Sequence, residues 1–307
     1  MKKITKKIIK TISKFDIEDY KKERLFNDII KNNFLGKYSF IDTRILVKNH
    51  TVGIRMFLPD KETNNLIIYF HGGGFVCGSV NNYTKICYIL AKNTNATVIS
   101  VDYRLAPEYP FPNGLEDCYE VTKYFFSKDS FLTNKNIILM GDSAGGNIAS
   151  VVSIIASEKK EFEIEKQILL YPLTYHIHDD DSHFESVKEN GNNWILTNKR
   201  INNYLDLYVT DKSKLNSKYV TPLNAEILEN QPKTLIITAE FDPLRDEGEA
   251  YGKKLQEFKN EVKIYRIKDV IHGFFTYFPN SKENKKCYKL INDFIGDDKS
   301  WKDDGLN

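Results

Sequence analysis

The amino-acid order predicts an α/β protein with a mostly parallel central sheet flanked by helices. Three observations point there. From residue 42 onward, short β-branched or aromatic runs alternate with helical stretches. Several of the central runs are apolar throughout, as strands are when both faces of their sheet are covered. The chain of 307 residues, 41% of them hydrophobic, can bury one large core or two smaller ones.

Taken in order, strands are expected near 42–48 and 52–58, the second placing Val52, Ile54, Met56 and Leu58 on one face at a period of two. Further strands follow at 66–70 (LIIYF), 97–103 (TVISVDY), 136–140 (NIILM), 167–171 (QILLY), 234–239 (TLIITA) and 262–267 (VKIYRI). Helical patterns fill 83–93, 114–127, 144–157, 245–258 and 281–295. Between Tyr171 and Thr234 lie about sixty residues, far more than a strand-to-strand crossover needs, and loops of that length form lids or binding structures. Residues 173–218 are therefore read as an inserted cap segment. Residues 1–40 form the N-terminal part of the same cap, and 41–172 with 219–307 form one catalytic core. The tail GDDKSWKDDGLN reads as solvated.

Composition excludes several classes. Basic residues number 44 and acidic 42, a formal charge of +2, far from the excess a nucleic-acid binder carries. Six Lys and no acid lie within residues 1–15 (MKKITKKIIKTISKF), which turns the +2 into −4 for the rest. Ile4, Ile8, Ile12 and Phe15 recur there at helical spacing. That pattern fits an amphipathic helix packed on the protein's own surface, or a weak contact with a membrane surface. No continuous apolar core follows the Lys residues as in a secretory signal, and no apolar run approaches bilayer-spanning length. Cys77, Cys87, Cys118 and Cys287 form no CxxC pair, so free buried thiols in a reducing, cytoplasmic setting are expected.

Chemistry concentrates in a few strings. Gly141-Asp142-Ser143-Ala144-Gly145-Gly146 follows the strand NIILM and opens the helical run NIASVVSIIAS. A sharp strand-to-helix turn needs small residues around its serine so that neighbouring backbone can pass, and it projects the hydroxyl above the sheet as a nucleophile elbow. The following helix brings unsatisfied N–H groups and the positive end of its dipole to Ser143. His71-Gly72-Gly73-Gly74-Phe75 follows the strand LIIYF, where three glycines free backbone N–H groups to point into a cavity and stabilise an oxyanion. A phosphate cradle would need Gly at position 77, which is Cys, and no GxxxxGK[ST] occurs. A nucleophilic serine needs a base oriented by an acid. His272, on a loop after VKIYRI, is the one His beyond Ser143 and outside the cap segment. Asp242, fixed by Pro243 after the strand TLIITA, emerges at the carboxyl edge of the sheet. Glu240, Asp246, Glu247 and Asp269 are its rivals.

Together these strings resemble the hormone-sensitive-lipase-like branch of the α/β-hydrolase esterases, the group that includes many bacterial carboxylesterases. The resemblance rests on HGGGF at 71–75, Asp102-Tyr103-Arg104-Leu105-Ala106-Pro107-Glu108, Leu115-Glu116-Asp117-Cys118, GDSAGGN at 141–147, Asp242-Pro243-Leu244-Arg245-Asp246-Glu247-Gly248 and His272-Gly273-Phe274, in that order. It implies an α/β-hydrolase fold with a two-part helical cap, Ser143 as nucleophile, His272 as base and Asp242 as acid. It further implies an oxyanion hole formed by the N–H groups of Gly73, Gly74 and Ala144, and a buried polar network of Arg104, Glu108 and Asp117 holding the HGGG loop. The departures fall in the cap, rich in Asn, Lys and His.

The expected reaction is hydrolysis of short- to medium-chain acyl esters through an acyl-enzyme, with a small-molecule ester as partner, no nucleic acid, no cofactor and no metal. The phenylalanines and tyrosines of 75–83 and of the cap would line the pocket. An amidase or peptidase with the same triad, or a non-catalytic small-molecule binder on the same fold, are the alternatives; the oligomeric state, monomer or dimer, is left open. The run His176-Ile177-His178-Asp179-Asp180-Asp181-Ser182-His183 approaches the metal-binding spacing HxHxDH but has Asp181 where a His is required, so it reads as a solvated charge cluster. His50 reads as structural.

Overall fold

Strand-forming runs separated by helical ones give the chain its layers. The structure is a computed structural model describing residues 20–25, 35–133, 135–192 and 194–296. Strands β1 (Ile41–Val47) and β2 (His50–Phe57) form an antiparallel hairpin. β3 (Asn65–Phe70), helix α1 (Val80–Thr94), β4 (Thr97–Asp102), α2 (Asn113–Phe126), β5 (Asn136–Asp142), α3 (Ala144–Lys159) and β6 (Lys166–Leu170) follow in alternation. After two short helices, α4 (Glu185–Asn190) and α5 (Asn198–Tyr208), come β7 (Lys233–Phe241), α6 (Arg245–Glu257), β8 (Val262–Ile271), α7 (Phe274–Tyr277) and α8 (Lys282–Ile295). Every expected strand and helix within the described residues is present. α1 starts three residues earlier than its pattern suggests because Ser79 caps it, accepting from Asn82 N–H. The expected amphipathic helix at 1–15 and the tail lie outside the described residues.

The eight strands form one sheet in the order β1-β2-β4-β3-β5-β6-β7-β8. β2 runs antiparallel to both its neighbours, and every pair from β4 to β8 is parallel. In β3, Leu66, Ile68 and Phe70 turn to one face and Ile67 and Tyr69 to the other, all fully buried. The first set packs with Leu115 of α2, Ile148 and Val152 of α3 and Leu255 of α6. The second packs with Ile86 and Leu90 of α1 and Ile291 and Phe294 of α8. Burying each such side chain contributes roughly 1.5–3 kcal/mol, so two covered faces explain why these strands are apolar throughout. The chain winds from β3 out to β4 and then back across to β5 on the other side of β3. At such a reversal the loops at the carboxyl ends of the strands splay apart and leave a crevice.

Candidate active site

Ser143 sits in that crevice, between the end of β5 and the start of α3. Its backbone adopts φ 56°, ψ −122°, a conformation a side chain bearing Cβ rarely takes. Three hydrogen bonds impose it: Ser143 N–H donates to Leu170 O of β6 at 2.9 Å, and Ser143 O accepts from Asn147 N–H at 3.1 Å and Leu173 N–H at 3.3 Å. The glycines follow from crowding. A Cβ on Gly145 would stand 2.0 Å from Phe70 O, so only glycine lets α3 start against the end of β3.

β8 ends at Ile271 and delivers His272 over the elbow, while β7 ends at Phe241 and delivers Asp242 beneath it. His272 Nε2 lies 2.9 Å from Ser143 Oγ, and His272 Nδ1 lies 2.7 Å from Asp242 Oδ2. Asp242 is fully buried, and its other oxygen accepts from Leu244 N–H at 2.9 Å. With the imidazole proton on Nδ1, facing the carboxylate, Nε2 is free to accept from the serine hydroxyl. The edge of the Tyr171 ring contacts the imidazole, centroids 4.8 Å apart. Three of the four rival acids are engaged elsewhere. Glu240 accepts from Asp269 N–H, Asp246 pairs with Arg245 and accepts from Ser186 N–H, and Glu247 faces His178.

The glycine turn after β3 closes the third side. Gly73 O accepts from the N–H groups of Val76 and Cys77, at 3.1 and 2.8 Å. Gly74 has φ 64°, and a Cβ there would meet the Tyr204 ring at 2.2 Å. Among the described residues, no hydrogen bond runs from the N–H groups of Gly73, Gly74 or Ala144. Gly72 N–H donates to Asp142 Oδ1 at 3.0 Å, which ties the turn to the elbow. Asp142 is buried and also accepts from Tyr69 and Tyr83 hydroxyls, at 2.8 and 3.0 Å. Burial pushes its carboxyl pKa up, against the pull of those hydrogen bonds. His71 packs between Tyr103 and Tyr83, and Tyr103 hydroxyl donates to His71 O at 2.7 Å.

Ser143 and His272 open onto a pocket of about 100 Å³. Its wall includes Phe75 and Tyr83, as the sequence suggested, together with Leu196, Ile201, Tyr204 and Leu205 from α5 and the turn before it. Glu23 and Arg200 also line it, an ion pair that sequence reasoning missed because 177 positions separate its members.

Some expectations need correction. Arg104 does grip Asp117, with Nε and Nη2 both donating to it, but Glu108 stands apart from them, half exposed and paired with Arg24. His50 holds the other side of Asp117, Nε2 to Oδ1 at 2.8 Å. The charge cluster at 176–183 is not uniformly solvated. His178 is fully buried, its Nε2 2.6 Å from Glu247, which also accepts from Thr174 and Tyr175 N–H at 2.6 and 3.0 Å. Glu247 thereby pins the start of the 173–218 segment to α6. Among the described residues no three His, Cys, Asp or Glu side chains are grouped to hold a metal ion, and no helix is long and apolar enough to cross a membrane.

Residues 67–276 match a family model described as alpha/beta hydrolase fold. An arylesterase of Saccharolobus solfataricus is 34% identical over 239 residues, 76% of each chain. An ethyl acetate hydrolase of Pseudomonas putida is 28% identical over 232 residues, covering 73% of this chain and 72% of that one. A hyperthermophilic esterase of the archaeon Pyrobaculum calidifontis superposes with TM-score 0.86 at 32% identity, over 97% of this chain and 98% of the other.

Proposed function

We propose a mechanism for a chain that belongs to the hormone-sensitive-lipase-like branch of the α/β-hydrolase family: it is a carboxylesterase in which Ser143, His272 and Asp242 form the catalytic triad. The observation that carries this reading is the unbroken line from Ser143 Oγ to His272 Nε2 and from His272 Nδ1 to Asp242, in a pocket backed by glycine N–H groups. Ser143 attacks the ester carbonyl while His272 takes its proton. The carbonyl oxygen becomes an oxyanion that the N–H groups of Gly73, Gly74 and Ala144 stabilise, at a helix N-terminus whose dipole favours negative charge. His272 then protonates the departing alcohol, leaving an acyl-serine, and afterwards takes a proton from the water that hydrolyses it. The Asp242 carboxylate holds the tautomer and offsets the imidazolium charge.

Residues 173–218, pinned by Glu247 and contributing α5 to the pocket wall, act as a cap, with the segment around Tyr20–Leu25 as its second part. The apolar wall supports short acyl esters, in line with the ethyl acetate hydrolase among the relatives. Four free, buried thiols support a reducing, cytoplasmic setting. The test is a series of p-nitrophenyl esters of increasing acyl length together with a fluorophosphonate probe. Ser143→Ala is expected to lose about six orders of magnitude in turnover and all labelling. A variant that labels as well as the unaltered chain refutes the mechanism.

A further inference from the structure

Two adjacent side chains of the short helical segment Tyr20–Leu25 reach opposite sides of the glycine turn. Arg24 goes behind it. Its Nε donates to Val76 O at 2.7 Å, its Nη2 to Ala106 O at 2.7 Å, and Nη1 and Nη2 engage both oxygens of Glu108 at 2.9 and 3.0 Å. Val76 is the residue whose N–H closes the turn onto Gly73 O, and Ala106 N–H donates to Phe75 O at 3.0 Å. One guanidinium therefore bridges the backbone on either side of the stretch from Gly73 to Val76, a geometry that a planar fork supplies and an ammonium does not. Glu23 goes in front. It pairs with Arg200 and accepts from Tyr204 hydroxyl at 2.5 Å, and the Tyr204 ring packs against Gly74 so closely that a Cβ has no room. Arg200 Nε donates to the same hydroxyl at 3.0 Å.

We infer that Arg24 is a positioning residue for the oxyanion hole, clamping the turn that carries the Gly73 and Gly74 N–H groups, while Glu23 locks Tyr204 of α5 against the front of the same turn. The inference rests on the serine-esterase reading above. A glycine-rich turn has more accessible backbone states than any other, so N–H groups aimed at an oxyanion need an external brace. Arg24 supplies that brace from behind the turn, outside the set of residues that line the pocket. Losing it lets the donors drift. A misplacement on the order of 1 Å is worth about 100-fold in rate.

The experiment measures kcat and KM for p-nitrophenyl butyrate, per active site titrated with diethyl p-nitrophenyl phosphate, so that only folded enzyme is counted. Arg24→Ala is expected to lower kcat by about 10- to 100-fold with KM changed less than about threefold, since the interaction removed acts in the transition state. Guanidinium chloride, at concentrations that leave the unaltered enzyme's rate constant, is expected to restore part of the loss. Arg24→Lys is expected to recover little, and Lys22→Ala, on the exposed side of the same segment, to match the unaltered enzyme. Should Arg24→Ala yield no titratable sites, Glu108→Gln, which leaves both backbone contacts of Arg24 in place, is expected to lower kcat by about 3- to 10-fold through the weakened fork. A kcat per titrated site equal to the unaltered enzyme's in whichever of the two variants folds overturns the inference, as does a loss that Lys22→Ala shares. Ser143→Ala turning over at the unaltered rate would instead remove the serine-esterase reading itself.

Discussion

Replacing Asp242 by Asn changes one atom and sets two hydrogen bonds against each other. Asp242 Oδ1 accepts from Leu244 N–H at 2.9 Å and Oδ2 faces His272 Nδ1 at 2.7 Å, in a site with no exposure to solvent. An Asn side chain has one acceptor and one donor for these two positions. With its oxygen kept on Leu244 N–H, its NH2 faces His272 and forces the imidazole proton onto Nε2, where it blocks acceptance from Ser143. With the amide turned over, the useful tautomer survives but Leu244 N–H is left buried and unpaired, at about 1–3 kcal/mol. A penalty near 2 kcal/mol leaves only about 3% of molecules in the competent arrangement. Loss of the carboxylate charge facing the imidazolium removes roughly another 1.5–3 kcal/mol in a dry site. The product is a loss in kcat of about 400- to 5,000-fold, approaching the roughly 10⁴-fold seen when a triad acid becomes an amide. KM should hardly move, because Asp242 is buried and does not line the pocket. The assay is steady-state hydrolysis of p-nitrophenyl butyrate per titrated site. An Asn variant keeping more than about a tenth of the original kcat refutes the argument that Leu244 dictates the tautomer.

Two further outcomes follow from buried carboxylates outside the triad. Asp142 has its pKa raised by burial, so the folded protein holds that proton more tightly than the unfolded chain does; stability is then highest at low pH and declines as pH climbs from about 4 through the folded pKa. Measured against Asp142→Asn, which does not titrate, the thermal midpoint of the unaltered protein should therefore fall behind progressively across that window, and a difference independent of pH would contradict the burial argument. Glu247→Ala orphans two backbone N–H groups and a buried histidine and should cost about 3–5 kcal/mol in a denaturant titration. Glu247→Gln should come close to the original stability, since its oxygen can keep both N–H groups and His178 Nδ1, which has no hydrogen-bond partner among the described residues, can take the proton when Nε2 must accept; equal losses in the two variants would refute that tautomer exchange.

Much was readable in the amino-acid order because the signals are local. A strand buried on both faces must be apolar at every position, so LIIYF and NIILM name themselves, and an elbow needs its glycines within a few residues of the serine. The strings GDSAGG and HGGG, with His272 alone in its region, therefore already held the proposed nucleophile, the proposed base and the glycine turn proposed to hold the oxyanion. The acid was harder, since the candidates Glu240, Asp242, Asp246, Glu247 and Asp269 lie close together in the chain and adjacency cannot rank them. Tertiary structure set Asp242 against His272 and gave three of its rivals other partners: a backbone N–H for Glu240, Arg245 for Asp246, His178 for Glu247. Tertiary structure alone also decided that Glu108 belongs to Arg24 and not to Arg104, that His178 is a buried anchor and not a solvated charge, and that Glu23 and Arg200 meet in the pocket. Those contacts join positions from tens to nearly two hundred residues apart. Patterning fixes which face of an element is buried, whereas the partner that a long polar side chain finds depends on how the loops at the ends of the strands are brought together.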